Sequence, residues 1–345
     1  MDQIKIINWL KRNDIQFIEN FDLSKKSWLK SGGEARIFIQ PNDLSKLLNL
    51  IKFFNEDKID FLPVGNLTNS LFREGEIVTP FINLKNINDN ISLVNETDSN
   101  ITLKVGAGVS IFKYVNYLQN QFRISGQEGL IGIPGTVGAA IITNASSYES
   151  CISTYLDKVE FIDHNGEIFQ EKKESLNLGW RNSKFLLMKN FIITNLFFDF
   201  DKKYVVTNET IDLKVKKIKA HRDKFQEKKY PNLGSLYATK NLYYDLSKIS
   251  FNLFLLYCFY IICTKLIFLF LNDKYLLSFR KFIVKLYLSY FKIDQNKFSL
   301  SERTINCLVN KGSKNSKHAF KLIDKLEKKI KGKVKLENKI FRNIR

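Results

Sequence analysis

The stretch GLIGIPGTVGAAIITNA, from Gly129 to Ala145, indicates the fold more strongly than any other part of the chain. It contains four glycines and one proline and has no charged residue. This glycine content argues against a stable helix, and the run is too long and apolar for an ordinary surface turn. A backbone without side chains can turn its N–H groups towards a phosphate and form an anion-binding nest. Composition alone also leaves open a tightly packed bend in a sheet.

A second loop favours the phosphate-binding interpretation. GNLTNSL (Gly65–Leu71) follows the predicted short strand FLPV (Phe61–Val64) and offers short polar side chains next to backbone donors. Two such loops could hold a diphosphate from opposite sides.

Composition limits the classes of protein that the chain can represent. With 345 residues, 44% hydrophobic and 26% charged, it predicts a globular protein of two domains. The cysteines and histidines show no ligand-like spacing, which argues against a metal site or a disulfide framework. They are Cys151, Cys258, Cys263, Cys307, His164, His221 and His318. The amphipathic N-terminal segment lacks the apolar core of a signal peptide, so we expect a cytoplasmic protein.

The net charge of +19 invites an acidic partner. However, the basic stretches 214–229 and 321–335 carry lysines at helical spacing around an apolar stripe, which is typical of solvated helix faces. No nucleic-acid-binding motif is found, and we expect no nucleic-acid partner.

Hydrophobic periodicity predicts a mixture of helices and strands without the regular βαβ rhythm of a doubly wound sheet. Asn42 is the predicted N-cap of the first helix below, and Asn165-Gly166 predicts a type I′ turn in the hairpin. No GxGxxG sequence lies between a strand and a helix, which argues against a Rossmann dinucleotide site. The predicted helices are 42–58, 111–122, 208–227 and 315–331; the strands are 61–64, 101–108, 190–200, 304–310 and 333–341; the hairpin is 159–170.

Several motifs together resemble the UDP-N-acetylenolpyruvoylglucosamine reductases, also called UDP-N-acetylmuramate dehydrogenases. The most specific is GIPGTVGAAIITNASSY (Gly132–Tyr148), which closely matches the flavin loop of that family. The resemblance covers Trp28 to about Thr239 and resumes near Ser301. Its other motifs are WLKSGGEARIFIQP (28–41), GNLTN (65–69), GWRNSKF (179–185), PNLGSLY (231–237) and CLVNKGSKNSKHAFKLIDKLEKKI (307–330).

The resemblance implies an α+β chain with a vanillyl-alcohol-oxidase (PCMH) type FAD-binding domain over 1–200. A smaller substrate-binding domain follows over 201–345, with a hydrophobic helical insertion at about 243–298. Carried over by motif, Tyr148 and Thr239 would contact the substrate. The residues implied to hold FAD are Gly65, Asn66, Leu67, Thr68, Asn69, Ser70, Gly132, Ile133, Pro134, Gly135, Thr136, Gly138, Ala139 and Asn144.

The resemblance also implies the chemistry. NADPH reduces FAD, and hydride then passes to the enolpyruvyl double bond of UDP-N-acetylglucosamine-enolpyruvate. That step needs a proton donor, implied to be Ser235, and a fixed cation for the developing negative charge, implied to be Arg181. On the residues alone, Ser235 would equally suit a turn hydroxyl, and an arginine such as Arg181 would more often form a surface ion pair.

The chain departs from the family in its substrate half. Where the family has Leu-Glu-Pro-Glu-Val, this chain has LENKI, so Lys339 stands in place of the active-site glutamate. Glu337 matches the first glutamate and could substitute only after a shift. Ala238 and Thr239 replace a lysine and a ligand-contacting asparagine, and Leu67 replaces a usual glycine.

These departures leave three hypotheses open. The leading one is the family reaction, giving UDP-N-acetylmuramate for peptidoglycan. The second is a paralogue that acts on another nucleotide sugar for surface polysaccharide, and the third is a flavin-binding or membrane-associated scaffold without catalysis. In each case we expect a monomer.

The apolar run Ile249–Leu271 is long enough to span a bilayer. Segments that resemble one domain of the family precede and follow this run, and a single membrane crossing would place them on opposite sides of the bilayer. A return through Tyr275–Phe291 would bury Arg280, Lys281 and Lys285, at a substantial energetic cost. We therefore predict a packed helical pair covering the substrate domain, with weak peripheral membrane contact through 249–291.

Overall fold

The computed structural model of the chain describes residues 3–270 and 273–344. The helices are α1 (Gln3–Arg12), α2 (Leu23–Lys26), α3 (Leu44–Glu56), α4 (Ile111–Tyr117), α5 (Val137–Ile142), α6 (Asn208–Phe225), α7 (Leu242–Ser247), α8 (Phe251–Phe270), α9 (Asp273–Tyr290) and α10 (Lys317–Ile330). The strands are β1 (Gln16–Asp22), β2 (Glu34–Gln40), β3 (Leu62–Val64), β4 (Ser70–Phe72), β5 (Glu76–Ile77), β6 (Phe81–Asn83), β7 (Ile91–Glu96), β8 (Asn100–Gly106), β9 (Ser146–Ser147), β10 (Ser150–Cys151), β11 (Leu156–Ile162), β12 (Ile168–Lys172), β13 (Ile192–Asp201), β14 (Asn232–Ser235), β15 (Phe298–Ser301), β16 (Thr304–Asn310) and β17 (Lys339–Phe341).

The first sheet has the order β1-β2-β6-β3, and β5 also pairs with β2. Apolar residues of α1 and α3 cover one face of this sheet. The predicted helix over 42–58 is confirmed, but its predicted cap is wrong. Asp43, not Asn42, is the N-cap, because its Oδ1 accepts the N–H of Lys46 at 2.7 Å.

The second sheet is antiparallel throughout, with the order β12-β11-β13-β8-β7. The hairpin predicted over 159–170 is confirmed as β11 and β12, but the type I′ turn at Asn165-Gly166 is wrong. Only Gly166 of that pair has a positive φ, and Gly166 N–H donates to Asp163 O. The Asp163 carboxylate also accepts the N–H groups of Asn165 and Glu167, which favours a longer loop.

Part of the glycine-rich stretch is helical, contrary to the prediction from its composition. Residues 137–142 form α5, which Thr136 caps by accepting the N–H of Ala139. A Cβ at Gly138 would lie 2.6 Å from the Cβ of Ala107, so the glycine allows this helix to pack tightly against the second sheet. Tertiary packing here outweighs the low helix propensity of glycine.

The third sheet, β14-β16-β15, carries α7 to α10 around a separate hydrophobic core. The predicted strand over 304–310 and helix over 315–331 are confirmed as β16 and α10. The helical pair is confirmed as α8 and α9, which contribute Leu253, Tyr260, Ile283 and Tyr287 to this core. Leu271, the predicted end of the apolar run, lies outside the described residues. Within the described part of the chain, no helix has the length and apolarity that a membrane crossing needs.

The C-terminal segment connects the third sheet to the first half of the chain. Of the strand predicted over 333–341, only residues 339–341 form β17, which pairs in parallel with β4. Because β4 begins at Ser70, β17 lies directly beside the loop 65–70. This pairing brings residues 336–339 to the predicted flavin loops.

Candidate active site

The two predicted phosphate-binding loops contact each other. Thr68 Oγ1 donates to the carbonyl oxygen of Pro134 at 2.8 Å. A Cβ at Gly65 would lie 3.0 Å from Thr136 Oγ1, so glycine is needed where the loops meet. The structure therefore brings loop 65–70 and loop 132–136 together, as two sides of one diphosphate site would require.

Both loops present backbone N–H groups that could bind an anion. Among the described residues, none accepts a hydrogen bond from the N–H groups of residues 66–69 or of Gly132, Gly135 and Thr136. Leu67, with φ +53°, adopts the left-handed conformation that lets successive N–H groups converge in a nest. The family's glycine at this position suits the same conformation without strain.

Gly135 identifies the space that a cofactor would fill. A Cβ at this position would meet only Thr68 Oγ1, at 3.5 Å, whereas at Gly138 it would clash with Ala107. Gly135 also has φ +152°, which disfavours other residues. Open space bounded by glycine and unpaired N–H groups fits the diphosphate of FAD.

The remaining predicted cofactor residues support these loops in different ways. Ser70 begins β4, Ala139 N–H completes the Thr136 cap, and Ile133 packs against the hydrophobic core of the second sheet. Asn144 is engaged at both ends of its amide: Nδ2 donates to Gly179 O at 2.9 Å and Oδ1 accepts from Cys151 Sγ. Asn144 is therefore positioned to link the flavin loop to the segment that carries Arg181.

Arg181 and Glu337 form an ion pair with 3.2 Å between Nε and Oε1. Both side chains are mostly buried, with 17% and 15% of their surface exposed. No described residue accepts an aligned hydrogen bond from Arg181 Nε, so attraction between the charges holds the pair. Burial raises the pKa of Glu337, and the nearby Arg181 opposes that rise.

The segment of Ser235 lies beside this pair. Glu337 N–H donates to Leu236 O at 2.9 Å, one residue after Ser235. The Ser235 side chain lies at the exposed end of β14, with its carbonyl oxygen 3.1 Å from Asn338 Nδ2. Ser235, Arg181 and Glu337 are therefore grouped on neighbouring segments.

Lys339 is placed differently from the carboxylate that it replaces in the motif. Its N–H donates to the carbonyl oxygen of Asn69 in loop 65–70, at 2.9 Å. Its side chain forms no ion pair within residues 3–270 and 273–344. Burial and then the positive charge of Lys335 lower the pKa of Lys339. Glu337, and not Lys339, is the residue that meets Arg181.

Asn338 was missed by the sequence analysis. It is buried and stands where the family has proline. Its amide nitrogen lies 2.5 Å from Asn69 Oδ1 and 3.1 Å from the carbonyl oxygens of Leu233 and Ser235. It therefore joins loop 65–70 to the strand of Ser235. The departure from proline was the sequence signal that could have identified it.

Tyr148 lies in a second polar cluster that also contains a residue missed from the sequence. Tyr148 Oη is 2.6 Å from His221 Nδ1, and the Arg222 guanidinium lies 4.9 Å from the Tyr148 ring centre. Arg222 is buried against the flavin loop: its Nη2 donates to Gly129 O, and its Nε has no described partner. Burial lowers the pKa of Arg222. A single arginine within a basic helix gave no sequence signal for this position.

Thr239, the other predicted substrate contact, is turned towards its own chain. Its hydroxyl donates to the carboxylate of Asp245 in α7, and it also accepts the N–H of Asn241. Thr239 therefore stabilises the start of α7. Lys240, the next residue, lies over the exposed ring of Trp180 with 5.7 Å between Nζ and the ring centre.

Comparison with known proteins agrees with this geometry. Residues 35–171 match a family described as FAD binding domain. The UDP-N-acetylenolpyruvoylglucosamine reductase of Clostridium botulinum (strain Eklund 17B / Type B) is 30% identical over 224 residues, which cover 65% of this chain and 70% of that protein. The chain belongs to the UDP-N-acetylenolpyruvoylglucosamine reductase family.

Other members of the reductase family give the same picture. The enzyme of Clostridium botulinum (strain Alaska E43 / Type E3) is 29% identical over 224 residues, again 65% of this chain and 70% of that protein. The crystal structure of the Thermus caldophilus reductase superposes with a TM-score of 0.64 at 18% identity, covering 95% of this chain and 98% of that one. The predicted α+β fold with an FAD-binding domain is confirmed.

Proposed function

We propose that this protein is an FAD- and NADPH-dependent oxidoreductase that reduces the enolpyruvyl double bond of UDP-N-acetylglucosamine-enolpyruvate. The product is UDP-N-acetylmuramate, a precursor of peptidoglycan. Membership of the reductase family supports the reaction. The observation that carries the proposal is the Arg181–Glu337 ion pair beside Ser235, next to two loops suited to FAD.

Bound FAD supplies the hydride transfer between NADPH and the substrate. The N–H groups of residues 66–69 and of Gly135 bind its diphosphate. Arg181 is the fixed cation near the carboxylate side of the substrate, where negative charge develops. Ser235 holds its hydroxyl proton towards the carbon next to the one that accepts hydride.

We assign to Glu337 the role that the family's second glutamate implies, and this differs from the motif alignment. Its carboxylate keeps the Arg181 guanidinium in one orientation, which makes Glu337 a positioning residue. Burial raises the pKa of Glu337, and the neighbouring Arg181 opposes that rise. Lys339 lies beside loop 65–70 and supports that loop through its backbone N–H.

A second candidate function is reduction or oxidation of another nucleotide sugar. Two observations favour it: the Thr239 hydroxyl is engaged by Asp245, and Lys339 replaces a carboxylate close to the loops. Lys339→Glu separates the two candidates. Turnover of the enolpyruvyl substrate should rise if that carboxylate is still needed, and should fall if the lysine serves a different ligand.

Stopped-flow spectroscopy of the two half-reactions tests the leading proposal. NADPH should bleach the oxidised flavin, and UDP-N-acetylglucosamine-enolpyruvate should then restore its absorbance. Reduction by NADPH without reoxidation by this substrate would favour the second candidate. A purified protein without flavin would contradict both candidates.

We further propose that the protein works as a cytoplasmic monomer and contacts the membrane only peripherally, through residues 249–291. The exposed apolar residues of that insertion support such contact.

A further inference from the structure

Helix α8 exposes an apolar face that the fold leaves uncovered. Its large exposed side chains repeat every three or four residues and therefore share one side of the helix. They are Phe251, Phe254, Leu255, Phe259, Ile262 and Leu266. The exposed fraction is at least 44% for each and 72% for Phe251. Such a continuous apolar surface on a folded protein indicates an interaction site.

Helix α9 adds exposed apolar side chains to this surface, and its opposite face packs into the protein. Tyr275 and Phe282 are about half exposed, whereas Ile283 and Tyr287 are fully buried in the hydrophobic core around the third sheet. On α8, Leu253 and Tyr260 are buried in the same core. The pair is thus fixed to the protein by one face and presents the other to the exterior.

The helices that carry this face and the residues next to them are rich in basic side chains. Between residues 245 and 294 the sequence contains seven lysines and arginines and three acidic residues, one of which, Asp245, pairs with Lys248. Lys265, Lys281 and Lys285 are exposed on the two helices. Lys281 and Lys285 are one helical turn apart and lie next to Phe282.

We propose that the exposed apolar face of α8 and α9 docks on the surface of an anionic lipid bilayer. Apolar side chains of an in-plane helix enter the boundary between headgroups and acyl chains, while lysines pair with anionic headgroups. A second copy of the chain is a poorer partner, because its own lysines would meet the same lysines across a symmetric interface. This docking extends the peripheral contact proposed above and does not depend on the flavin reaction.

Vesicle flotation of the flavin-loaded protein tests the docking. The wild type should float with vesicles of phosphatidylglycerol and phosphatidylcholine, much less with phosphatidylcholine alone, and less in 1 M salt, where screening is strong. Lys281→Gln combined with Lys285→Gln should weaken partitioning about 25-fold, at about five-fold for each lysine. Phe251→Ser combined with Leu255→Ser should weaken it by at least about ten-fold.

Lys216→Gln combined with Lys219→Gln is the matched control, since both lysines are exposed and lie on α6, outside the helical pair α8 and α9. The control should partition within about three-fold of the wild type. Unchanged flavin content in every variant shows that each remains folded. Failure of the wild type to float, equal flotation with neutral vesicles, or equal losses in the control and α9 variants would each overturn the proposal. So would concentration-dependent dimerisation that is lost in the Phe251→Ser, Leu255→Ser variant without any lipid binding.

Discussion

The flavin loops and the C-terminal segment 336–341 lie side by side, yet the sequence reveals them to very different degrees. Loops 65–70 and 132–136 depend on backbone geometry: left-handed φ values, free N–H groups and positions where only glycine fits. Segment 336–341 depends on which side chain faces which neighbour. Glu337 meets Arg181, Asn338 meets Asn69, and Lys339 lies beside Ser70.

The difference shows why the two regions tolerate change differently. A residue with a Cβ can replace glycine at a left-handed position only at the cost of strain, as Leu67 does at φ +53°. A charge partner can instead come from another position in the chain: Glu337, which precedes β17, reaches Arg181, whereas Lys339 in β17 pairs with loop 65–70 through its backbone. Glu337 beside Arg181, with Lys339 two residues further on, fits such a rearrangement.

Substitution of the loop glycines should give the largest effect and test the first half of the comparison. Gly135→Val should abolish flavin binding with the fold kept, because the side chain enters the cofactor space. Gly138→Val should instead cost at least about 1–3 kcal/mol of stability through overpacking against Ala107. Flavin absorbance per protein and circular dichroism melting measure the two effects.

Gly135→Ala is the control for that experiment. It shares the backbone strain of Gly135→Val but adds only one methyl group, so it should retain more flavin than the valine variant. Full flavin content in Gly135→Val would place the diphosphate elsewhere.

The second prediction concerns the catalytic group. Ser235→Ala should slow reoxidation of the reduced flavin by substrate about 10²–10⁴-fold, since protonation belongs only to that half-reaction. Glu337→Gln should slow the same step through a misplaced Arg181, and Glu337→Asp should restore part of the rate. Single-turnover stopped-flow kinetics measures both half-reactions, and NADPH oxidation should be nearly unchanged. Equal slowing of both steps would assign these residues a structural role.

Much of the fold was predictable from the sequence because its signals are local. The apolar stripe of α10 predicted five positions, and Ala319, Leu322, Ile323, Leu326 and Ile330 are all buried. Errors occurred where distant contacts decide local structure. The composition of 129–145 excluded the helix α5, which exists because Gly138 packs against Ala107.

The candidate site was predictable only in part, for the same reason. The loop residues followed from motifs, whereas the ion pair of Glu337 depends on how β17 pairs with β4, and the sequence does not state that register. Asn338 and Arg222 have roles that arise from contacts with residues far away in the chain. The catalytic roles of Ser235, Arg181 and Lys339 remain predictions.

Leu67 allows a test of how much the left-handed backbone conformation in loop 65–70 costs. Its left-handed φ costs about 1–2 kcal/mol for a residue with a Cβ, while its buried side chain contributes about 1.5–3 kcal/mol. Leu67→Gly removes both the strain and the burial, whereas Leu67→Ala loses most of the burial and keeps the strain. We therefore expect the glycine variant to be more stable than the alanine variant by about 1 kcal/mol.

Urea unfolding of the flavin-free variants measures that order, because bound FAD would stabilise each variant by an amount that depends on its own affinity. At an ordinary helix position alanine is the more stable of the two. An alanine variant as stable as the glycine variant would show that the conformation of Leu67 carries no cost and that the family's glycine serves another purpose.

The smallest expected effect tests whether Lys339 is a structural burden or a functional group. Burial lowers its pKa, so near neutral pH the folded state bears the cost of a partly buried charge that the unfolded state does not. As pH rises through the lowered pKa towards 10.5, the folded protein releases this proton before the unfolded chain does, and stability rises.

Lys339→Met should therefore be more stable than the wild type at pH 7, by about 0.5 kcal/mol or less after solvent screening is considered. Urea unfolding should show this difference shrinking between pH 7 and 10.5. A methionine variant that is less stable at pH 7, or that loses substrate turnover while keeping its flavin, would mean that the ammonium group has a partner in the site, and the second candidate function would then be favoured.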